Sequence, residues 1–228
     1  MNKDLIMQRL DYLFPDARCE LDYSKDYELL LKVMLSAQTT DKRVNIATKE
    51  LFEKYDTLEK LSKLSQNDVS NYIKSIGFHH TKSANFVNIV QELNKIGYVP
   101  RDRKYLESLS GVGRKTASVV LAHLFDEPSF AVDTHVYRVS LRLGIRKEKD
   151  DVLVCEKKLK KYFDKDKWNR VNSQLVLFGR YICKSQKPDC KLCGLNNICK
   201  RKKIIDWLSF FYWTVTVWVI FLLIGLEL

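Results

Sequence analysis

A group of four cysteines has the sequence spacing of a metal-binding loop. The four residues are Cys183, Cys190, Cys193 and Cys199. They follow the pattern C-x6-C-x2-C-x5-C, and four thiolates on one short loop can ligate an iron–sulfur cluster or a structural zinc ion. Zinc sites usually combine two close cysteine pairs, whereas this loop has one, so the spacing favours the cluster. Cys19 and Cys155 lie far from this loop in the sequence and are predicted to be ordinary buried residues.

A glycine-rich segment, SGVGRKT at residues 110–116, has the composition of a phosphate-binding turn. Gly111 and Gly113 let the backbone come close to a ligand, while Arg114 and Lys115 add positive charge. A nucleotide-binding P-loop is excluded, because it requires a glycine directly before the lysine and Arg114 stands there. The segment instead predicts a helix, a tight hairpin and a second helix whose first amides face a nucleic-acid backbone.

Two side chains are candidates for catalysis, Lys115 in this hairpin and Asp133 eighteen residues later. The positive end of a helix disfavours an ammonium group, which is one route to the neutral amine that a nucleophile needs. The alternative for Lys115 is a solvated lysine. Asp133, in the segment FAVDTHVYRVSLRLG, is by itself expected to be the N-cap of a helix with an apolar face. A catalytic role for this carboxylate requires a partner such as Lys115.

The elements that must position these residues are predicted to be helices. From Leu5 to Arg201 the apolar residues recur at helical spacing, and Gly or Pro separates the segments. The segment SQNDVSNYIKSIG has a capping pair, Ser65 and Asp68, and a stop signal at Gly77. The sequence has no βαβ alternation and no fixed-period repeat, so an all-α fold is expected.

The charge of the chain favours a polyanionic partner. The 228 residues include 39 Lys and Arg and 28 Asp and Glu, which gives a net charge of +11. Nucleic acid is the expected partner of such a surface, although a basic surface without a partner is the alternative. A hydrophobic content of 46% is sufficient for one or two buried cores and excludes a disordered chain.

The end of the chain differs in composition from the rest. After the basic run KRKK at residues 200–203, residues 207–226 contain no charge and have the length that crosses a bilayer core. A buried terminal helix and a sequence accident beyond the true end of the gene product are the alternatives. The first twenty residues mix charges of both signs with short apolar runs, so no secretory signal is predicted. We expect a cytoplasmic, nucleoid-associated protein, with membrane tethering through residues 207–226 as an option.

Several motifs in a fixed order carry a resemblance to a known family. They are LSAQTTDKRVN at residues 35–45, SGVGRKTA with Lys115, VDTH with Asp133, and the four-cysteine pattern. With them, residues 1–203 resemble bacterial endonuclease III, of the helix-hairpin-helix DNA glycosylase superfamily. The resemblance implies two all-α domains with a cleft between them. Residues 21–127 would form a helical domain whose helix-hairpin-helix motif spans 105–125, and residues 1–20 with 128–203 would form the cluster domain. The tail at 204–228 has no counterpart.

The resemblance also implies an activity and a cofactor. The protein would be a bifunctional DNA glycosylase and AP lyase that removes oxidised pyrimidines during base excision repair. Lys115 would attack the sugar C1′ and form a Schiff base, Asp133 would assist, and β-elimination would nick the strand. The four cysteines would hold a [4Fe-4S] cluster. The partner would be double-stranded DNA with damaged pyrimidines or abasic sites, bound by a monomer.

The same resemblance indicates which residues contact DNA. Gln38 would fill the void left by the extruded nucleotide, and Phe78 stands where the family usually has a leucine wedge. The remaining candidates for backbone contacts are Gly111, Gly113 and Arg114 in the hairpin and Lys184, Lys187 and Lys191 in the cysteine loop. Ser110 replaces a proline that is common before the hairpin glycines.

Other functions remain as alternatives. Adenine glycosylases of this superfamily generally lack the lysine, and thymine-mismatch enzymes usually carry a tyrosine in its place, so Lys115 disfavours both. A non-catalytic iron–sulfur module would use the hairpin and cluster for DNA docking alone, and the presence of both Lys115 and Asp133 disfavours it. A membrane-tethered structural protein is supported by the tail only.

Overall fold

A computed structural model describes residues 2–201, and every regular element in that range is a helix. The α-helices are α1 (Lys3–Leu13), α2 (Asp26–Leu35), α3 (Asp41–Lys54), α4 (Leu58–Ser62), α5 (Gln66–Tyr72), α6 (His79–Ile96), α7 (Arg103–Ser108), α8 (Arg114–Phe125), α9 (Thr134–Arg142), α10 (Val152–Tyr162), α11 (Trp168–Leu177) and α12 (Cys190–Cys193). A 3-10 turn at Lys165–Lys167 precedes α11, and a π-helical turn at Phe178–Ile182 continues it. The all-α prediction is confirmed.

The chain forms two compact units. The central unit contains residues 16–131 and 165–173, and the terminal unit contains the described residues of 2–15, 132–164 and 174–201. Residues 165–173 lie in the central unit, although the division expected from the sequence put them with the terminal residues. Contacts explain this placement, because the Trp168 ring packs 6.1 Å from that of Phe130 and the Asn169 side chain accepts a hydrogen bond from the Ser129 amide.

The central unit is built around α2, a helix that is buried on all sides. Leu29, Leu30, Leu31 and Leu35 are fully buried, and α3, α6 and α8 pack against this helix. A helix with so many consecutive buried residues requires cover on every face. Each fully buried leucine stabilises the fold by roughly 1.5–3 kcal/mol relative to an exposed one. This core is the platform on which the loops of the central unit are held.

Local sequence signals set several helix boundaries. Ser65 and Asp68 form the predicted capping box at the start of α5, with the Ser65 amide donating to the Asp68 carboxylate at 2.9 Å. Thr40 caps α3, where its hydroxyl accepts from the Arg43 amide. The stop signal at Gly77 does not mark the end of α5, because the chain leaves the helix after Tyr72 and continues as turns.

In the terminal unit, α9 packs against α10 and against the π-helical turn. Val136, Val139 and Phe178 are buried there. Gly179 permits the close approach, since a Cβ at this position would lie 2.7 Å from the Cβ of His135. The π-helical turn therefore brings the chain that leads to Cys183 directly against α9.

Within residues 2–201, no helix combines the length and the hydropathy that crossing a membrane would require. The predicted membrane segment at 207–226, and the whole tail at 204–228, lie outside the described residues.

Candidate active site and cysteine loop

The hairpin between α7 and α8 is anchored in the core of the central unit and needs glycine at its tip. Leu109 and Val112 are buried below the turn. Gly111 has a φ of +75°, and a Cβ there would lie 2.4 Å from the side-chain nitrogen of Asn85 on α6. Both the backbone conformation and the space therefore exclude a side chain. The Asn85 side chain of α6 therefore packs directly against the tip of the hairpin.

The start of α8 carries positive charge next to the glycine hairpin. Gly113 is its N-cap residue, and no side chain caps the helix. Arg114 and Lys115 follow, both exposed, and the first turn contains no acidic residue. Helix N-termini carry a partial positive charge of their own, so this arrangement is stabilised when an anion binds the first amides.

Asp133 caps the start of α9, as its sequence context predicts. Its Oδ1 accepts a hydrogen bond from the Val136 amide at 2.7 Å, and the residue is half-buried. The bond fixes the orientation of the carboxylate and leaves Oδ2 without a hydrogen bond from the residues that the structure describes. Asp133 belongs to the terminal unit and Lys115 to the central unit.

Arg138 on α9 was not identified from the sequence, although it connects Asp133's helix to the cysteine loop. Its Nε donates to the Cys183 carbonyl at 3.1 Å, and its Nη2 donates to the Gly179 carbonyl at 2.8 Å. Burial lowers the pKa of this guanidinium and the nearby Arg142 lowers it further, while Cys183 and Asp133 act in the opposite direction. The sequence feature that could have identified Arg138 is its spacing from Arg142, because residues four positions apart lie on one face of a helix.

The cysteine loop is held by two arginines from distant parts of the terminal unit. Arg142 donates through Nη1 to the Cys183 sulfur at 3.2 Å and to the Lys184 carbonyl at 2.7 Å. Arg9 on α1 donates through Nε to the Cys193 carbonyl at 3.0 Å. Gly194 makes room for Arg9, because a Cβ there would lie 2.5 Å from its Nε.

The Cys193 thiol is affected electrostatically by the other three cysteines of the loop. Burial raises the pKa of the Cys193 thiol, and negative charge on Cys183, Cys199 and Cys190 raises it further. Such a set of thiols is stabilised in the ionised form by a bound cationic centre. Cys183 and Cys193 are buried, Cys199 is half-buried and Cys190 is exposed.

The donor set of the loop is four thiols, which suit both an iron–sulfur cluster and a structural zinc ion. Over residues 2–201, no three Cys, His, Asp or Glu side chains are arranged closely enough to hold a metal ion. The chemistry of the donors therefore fits a thiolate-bound group, and the choice between the two rests on the sequence spacing.

Gln38 and Phe78 share an unusual backbone conformation in the central unit. Gln38, between α2 and α3, has a φ of 56°, and Phe78, the N-cap residue of α6, has a φ of 59°. Both residues are exposed, and Phe78 retains 69% of its accessible surface. A left-handed conformation costs about 1–3 kcal/mol for a residue other than glycine, and strain of this kind clusters at functional sites.

The lysines predicted to contact DNA phosphates are exposed. Lys184, Lys187 and Lys191 all lie on the cysteine loop of the terminal unit. Lys187 has a left-handed backbone with a φ of 45°. Farther along, the Lys200 side chain covers Gly144, where a Cβ would lie 2.5 Å from its Cε. The loop therefore presents several cations on the surface that surrounds the cysteines.

Comparisons with known proteins point to one family. The family model described as HhH-GPD superfamily base excision DNA repair protein matches residues 31–165. Endonuclease III of Rickettsia felis is 47% identical over 189 residues, which cover 82% of this chain and 88% of that protein. Endonuclease III of Bacillus subtilis is 44% identical over 204 residues, which cover 87% of this chain and 91% of that protein.

A solved structure gives the same result at the level of the fold. It is a trapped endonuclease III–DNA covalent intermediate, and this chain is 43% identical to its protein with a TM-score of 0.82. The match covers 89% of this chain and 98% of the solved one. The likeness therefore extends over nearly the full length of that protein.

Proposed function

This chain belongs to the HhH-GPD superfamily of base excision DNA repair proteins and is a DNA glycosylase with AP lyase activity, and we propose that it removes oxidised pyrimidines through Lys115. The observation that carries this proposal is the start of α8. An exposed lysine stands there beside a glycine hairpin, an uncapped helix end and a second cation, with no acidic residue in the first turn. Such a site binds a phosphate backbone and presents an amine next to it.

Lys115 supplies the nucleophile of the reaction. Its neutral amine attacks C1′ of the damaged nucleotide, the bond from C1′ to the base breaks, and the base leaves with the bonding electrons. The sugar ring then opens and the nitrogen forms an imine with C1′. The imine acidifies the C2′ proton, so loss of this proton and cleavage of the C3′–O bond follow by β-elimination. Water finally releases Lys115 from the sugar.

Asp133 stabilises the positive charge that develops during base removal. As the bond to the base breaks, C1′ takes on oxocarbenium character, and a fixed carboxylate lowers the energy of that state. The same group can accept the proton that the attacking amine loses. The cap bond from the Val136 amide supports this role, because it holds Oδ1 in place and leaves Oδ2 for the substrate.

Gln38 and Phe78 act while the damaged nucleotide is outside the duplex. A stacked base cannot be reached, so the enzyme must extrude it and occupy the gap. The left-handed backbones of the two residues and their exposure support insertion into DNA. Phe78 provides an apolar wedge, and Gln38 provides an amide that can hydrogen-bond the base left without its partner.

Two groups of residues are the proposed contacts to the DNA backbone. The amides of Gly111 and Gly113, together with Arg114, bind one stretch of phosphates, and the lysines of the cysteine loop bind another. The group that would be held by Cys183, Cys190, Cys193 and Cys199 is a [4Fe-4S] cluster. When bound, this group cross-links the loop through iron–thiolate bonds. Arg9 and Arg142 fix the carbonyls of the same loop and thereby orient its lysines.

The proposal is tested by trapping the Schiff base with sodium borohydride. The substrates are a duplex with thymine glycol and a duplex with an abasic site, and the proteins are wild type, Lys115→Ala and Lys104→Ala. Lys104 is an exposed lysine on the neighbouring helix α7, which makes it a matched control. Covalent adducts are expected on both duplexes for wild type and Lys104→Ala, and on neither for Lys115→Ala.

Each other result has a defined meaning. Adducts that persist in Lys115→Ala would assign the nucleophile to another residue. Adducts at the abasic site alone would leave a lyase that does not remove thymine glycol. Binding of the duplexes without any adduct would leave a DNA-docking module.

A further inference from the structure

A buried lysine connects the two residues that are proposed to enter the DNA duplex. Lys82, in the first turns of α6, is only 6% exposed. Its Nζ donates to the Ala37 carbonyl at 2.7 Å and to the Thr39 hydroxyl at 3.2 Å, which are the residues on either side of Gln38. Its backbone amide donates to the Phe78 carbonyl at 3.0 Å. One residue therefore contacts both strained segments.

The position of this lysine is not explained by stability alone. Its two side-chain partners are neutral, and burial lowers the pKa of its ammonium group. A buried ammonium loses its hydration, and apolar residues of similar size often replace buried charged groups without loss of stability. Unlike an apolar residue, this lysine donates two directed hydrogen bonds. These bonds fix the backbone on both sides of Gln38.

We propose that Lys82 is a positioning residue that sets the spacing between Gln38 and Phe78 for extrusion of the damaged nucleotide. The inference rests on the proposed function and deepens it. Gln38 lies on the short loop between α2 and α3, and the Lys82 side chain hydrogen-bonds this loop from α6. Lys82 ties that loop to the helix whose N-cap is Phe78, so the two side chains meet the duplex as one rigid pair. The left-handed conformation of both residues is then maintained by a shared support.

Base removal is the step that depends on this spacing. Extrusion of a stacked base requires both inserted side chains at once, whereas an abasic sugar has no stacking to break. Lys82→Met is expected to slow single-turnover release of thymine glycol about tenfold or more, because small misplacements of positioning groups have effects of that size. Cleavage at a preformed abasic site should fall by less than about threefold in the same variant.

Lys32→Met is the matched control. Lys32 is also buried in the central unit, with 5% exposure, it donates to the Asp22 carbonyl, and burial lowers its pKa as well. It contacts neither Gln38 nor Phe78 in the described hydrogen bonds. Thermal melting of both variants separates a general effect of removing a buried lysine from the specific effect on extrusion. Lys32→Met should retain base removal at the wild-type rate.

A double-mutant cycle with Gln38→Ala tests whether Lys82 acts through Gln38. If it does, Lys82→Met adds little to the loss already caused by Gln38→Ala, since coupled residues are non-additive. Fluorescence of 2-aminopurine placed beside the lesion reports unstacking directly and should rise less with Lys82→Met than with wild type. Should Lys82→Met fail to fold, Thr39→Val removes one acceptor while the lysine remains, and it should show a smaller loss of the same kind.

The outcomes distinguish this inference from the proposed function. If wild type is active and Lys82→Met is equally active, the role of Lys82 is overturned and the proposed function stands. Additive losses in the double-mutant cycle would have the same meaning. Equal losses in Lys82→Met and Lys32→Met would also overturn that role, because the effect would then be one of general stability. A wild type that neither releases the base nor forms a borohydride adduct would overturn the proposed function together with this inference.

Discussion

Helices α8 and α9 begin with opposite charge arrangements in the two units of the chain. The first residues of α8 follow an uncapped Gly113 and include Arg114 and Lys115. The first turn of α9 is capped by Asp133, whose carboxylate accepts the Val136 amide at 2.7 Å. Every helix start has unsatisfied amides and a partial positive charge. The Asp133 side chain satisfies one amide of α9, whereas the N-cap residue of α8 has no side chain that could do so.

This difference separates a structural helix start from one that is available for binding. A carboxylate at an N-cap stabilises its helix whether or not a substrate is present. A glycine N-cap supplies no side-chain acceptor to the first amides, so an anion that binds there adds stability to the helix. Asp133 has a function beyond its cap only if its second oxygen acts on the substrate. The comparison can therefore be tested by changing one feature at a time.

The largest effect is expected for Asp133→Asn. Asparagine caps a helix about as well as aspartate, so the melting temperature should change little. Loss of the negative charge should lower single-turnover base removal about 10²- to 10⁴-fold. DNA affinity, measured by fluorescence anisotropy, should stay close to that of wild type. The control is Asp151→Asn, because Asp151 caps α10 in the same unit with a bond of 2.8 Å to Val154. If Asp133→Asn does not fold, the result would assign Asp133 the role of a helix cap and no catalytic role.

A smaller effect is expected for Gly111→Ala, which disturbs the turn before α8. The new Cβ meets Asn85 and the backbone retains a φ of +75°, so stability should fall by about 2–3 kcal/mol. Binding to an abasic duplex should weaken with it. Gly97→Ala provides the comparison, because Gly97 has a φ of +82° but no atom within 4 Å of the added Cβ. The free energy of unfolding of Gly97→Ala, measured by urea denaturation, should fall by about 1 kcal/mol. If Gly111→Ala and Gly97→Ala lost the same stability, the contact with Asn85 would not contribute to the effect of Gly111→Ala.

Arg114→Gln should weaken DNA binding without affecting the chemical step. Removal of one phosphate contact is expected to reduce the slope of log affinity against log salt concentration by about 1. Affinity at moderate salt should fall about tenfold, and the rate of trapping at saturating DNA should remain unchanged. An unaltered salt slope would show that the positive charge at α8 does not contact the backbone.

The smallest effect is expected for Asp151→Ala at the start of α10. Loss of this N-cap should lower the free energy of unfolding by about 1 kcal/mol. Base removal and DNA binding should stay at wild-type levels, since the cap of α10 is purely structural. A large loss of activity would mean that helix caps in the terminal unit affect catalysis indirectly, and it would weaken the interpretation of Asp133→Asn.

The local features of the fold could be predicted from the sequence. The caps at Ser65 and Asp133 were predicted because a cap involves residues three positions apart, and the structure confirms both of them. The glycine hairpin was predicted for the same reason. The family was also identified from its motifs and is confirmed by the comparisons. The catalytic and DNA-contacting roles of the individual residues stay predictions.

The contacts that organise the loops could not be predicted in this way. Arg138 and Cys183 are 45 residues apart, and so are Lys82 and Ala37. No periodicity or local motif connects such pairs, because tertiary packing alone brings them together. Residues 165–173 show the same limitation, since their place in the central unit depends on distant contacts of Trp168 and Asn169. Sequence motifs indicated the candidate reactive groups, whereas the residues that hold their loops became visible only in the structure.

The contact between Arg9 and the Cys193 carbonyl has a consequence for synthesis of the chain on the ribosome. These residues are 184 positions apart, yet both belong to the terminal unit. Translation adds about 5–20 residues per second, so α1 is made on the order of 10–40 seconds before its partner. Residues 16–131 of the central unit are complete much earlier. Helix α1 therefore has no cysteine loop to contact until synthesis has passed residue 193, when most of the central unit has already been made.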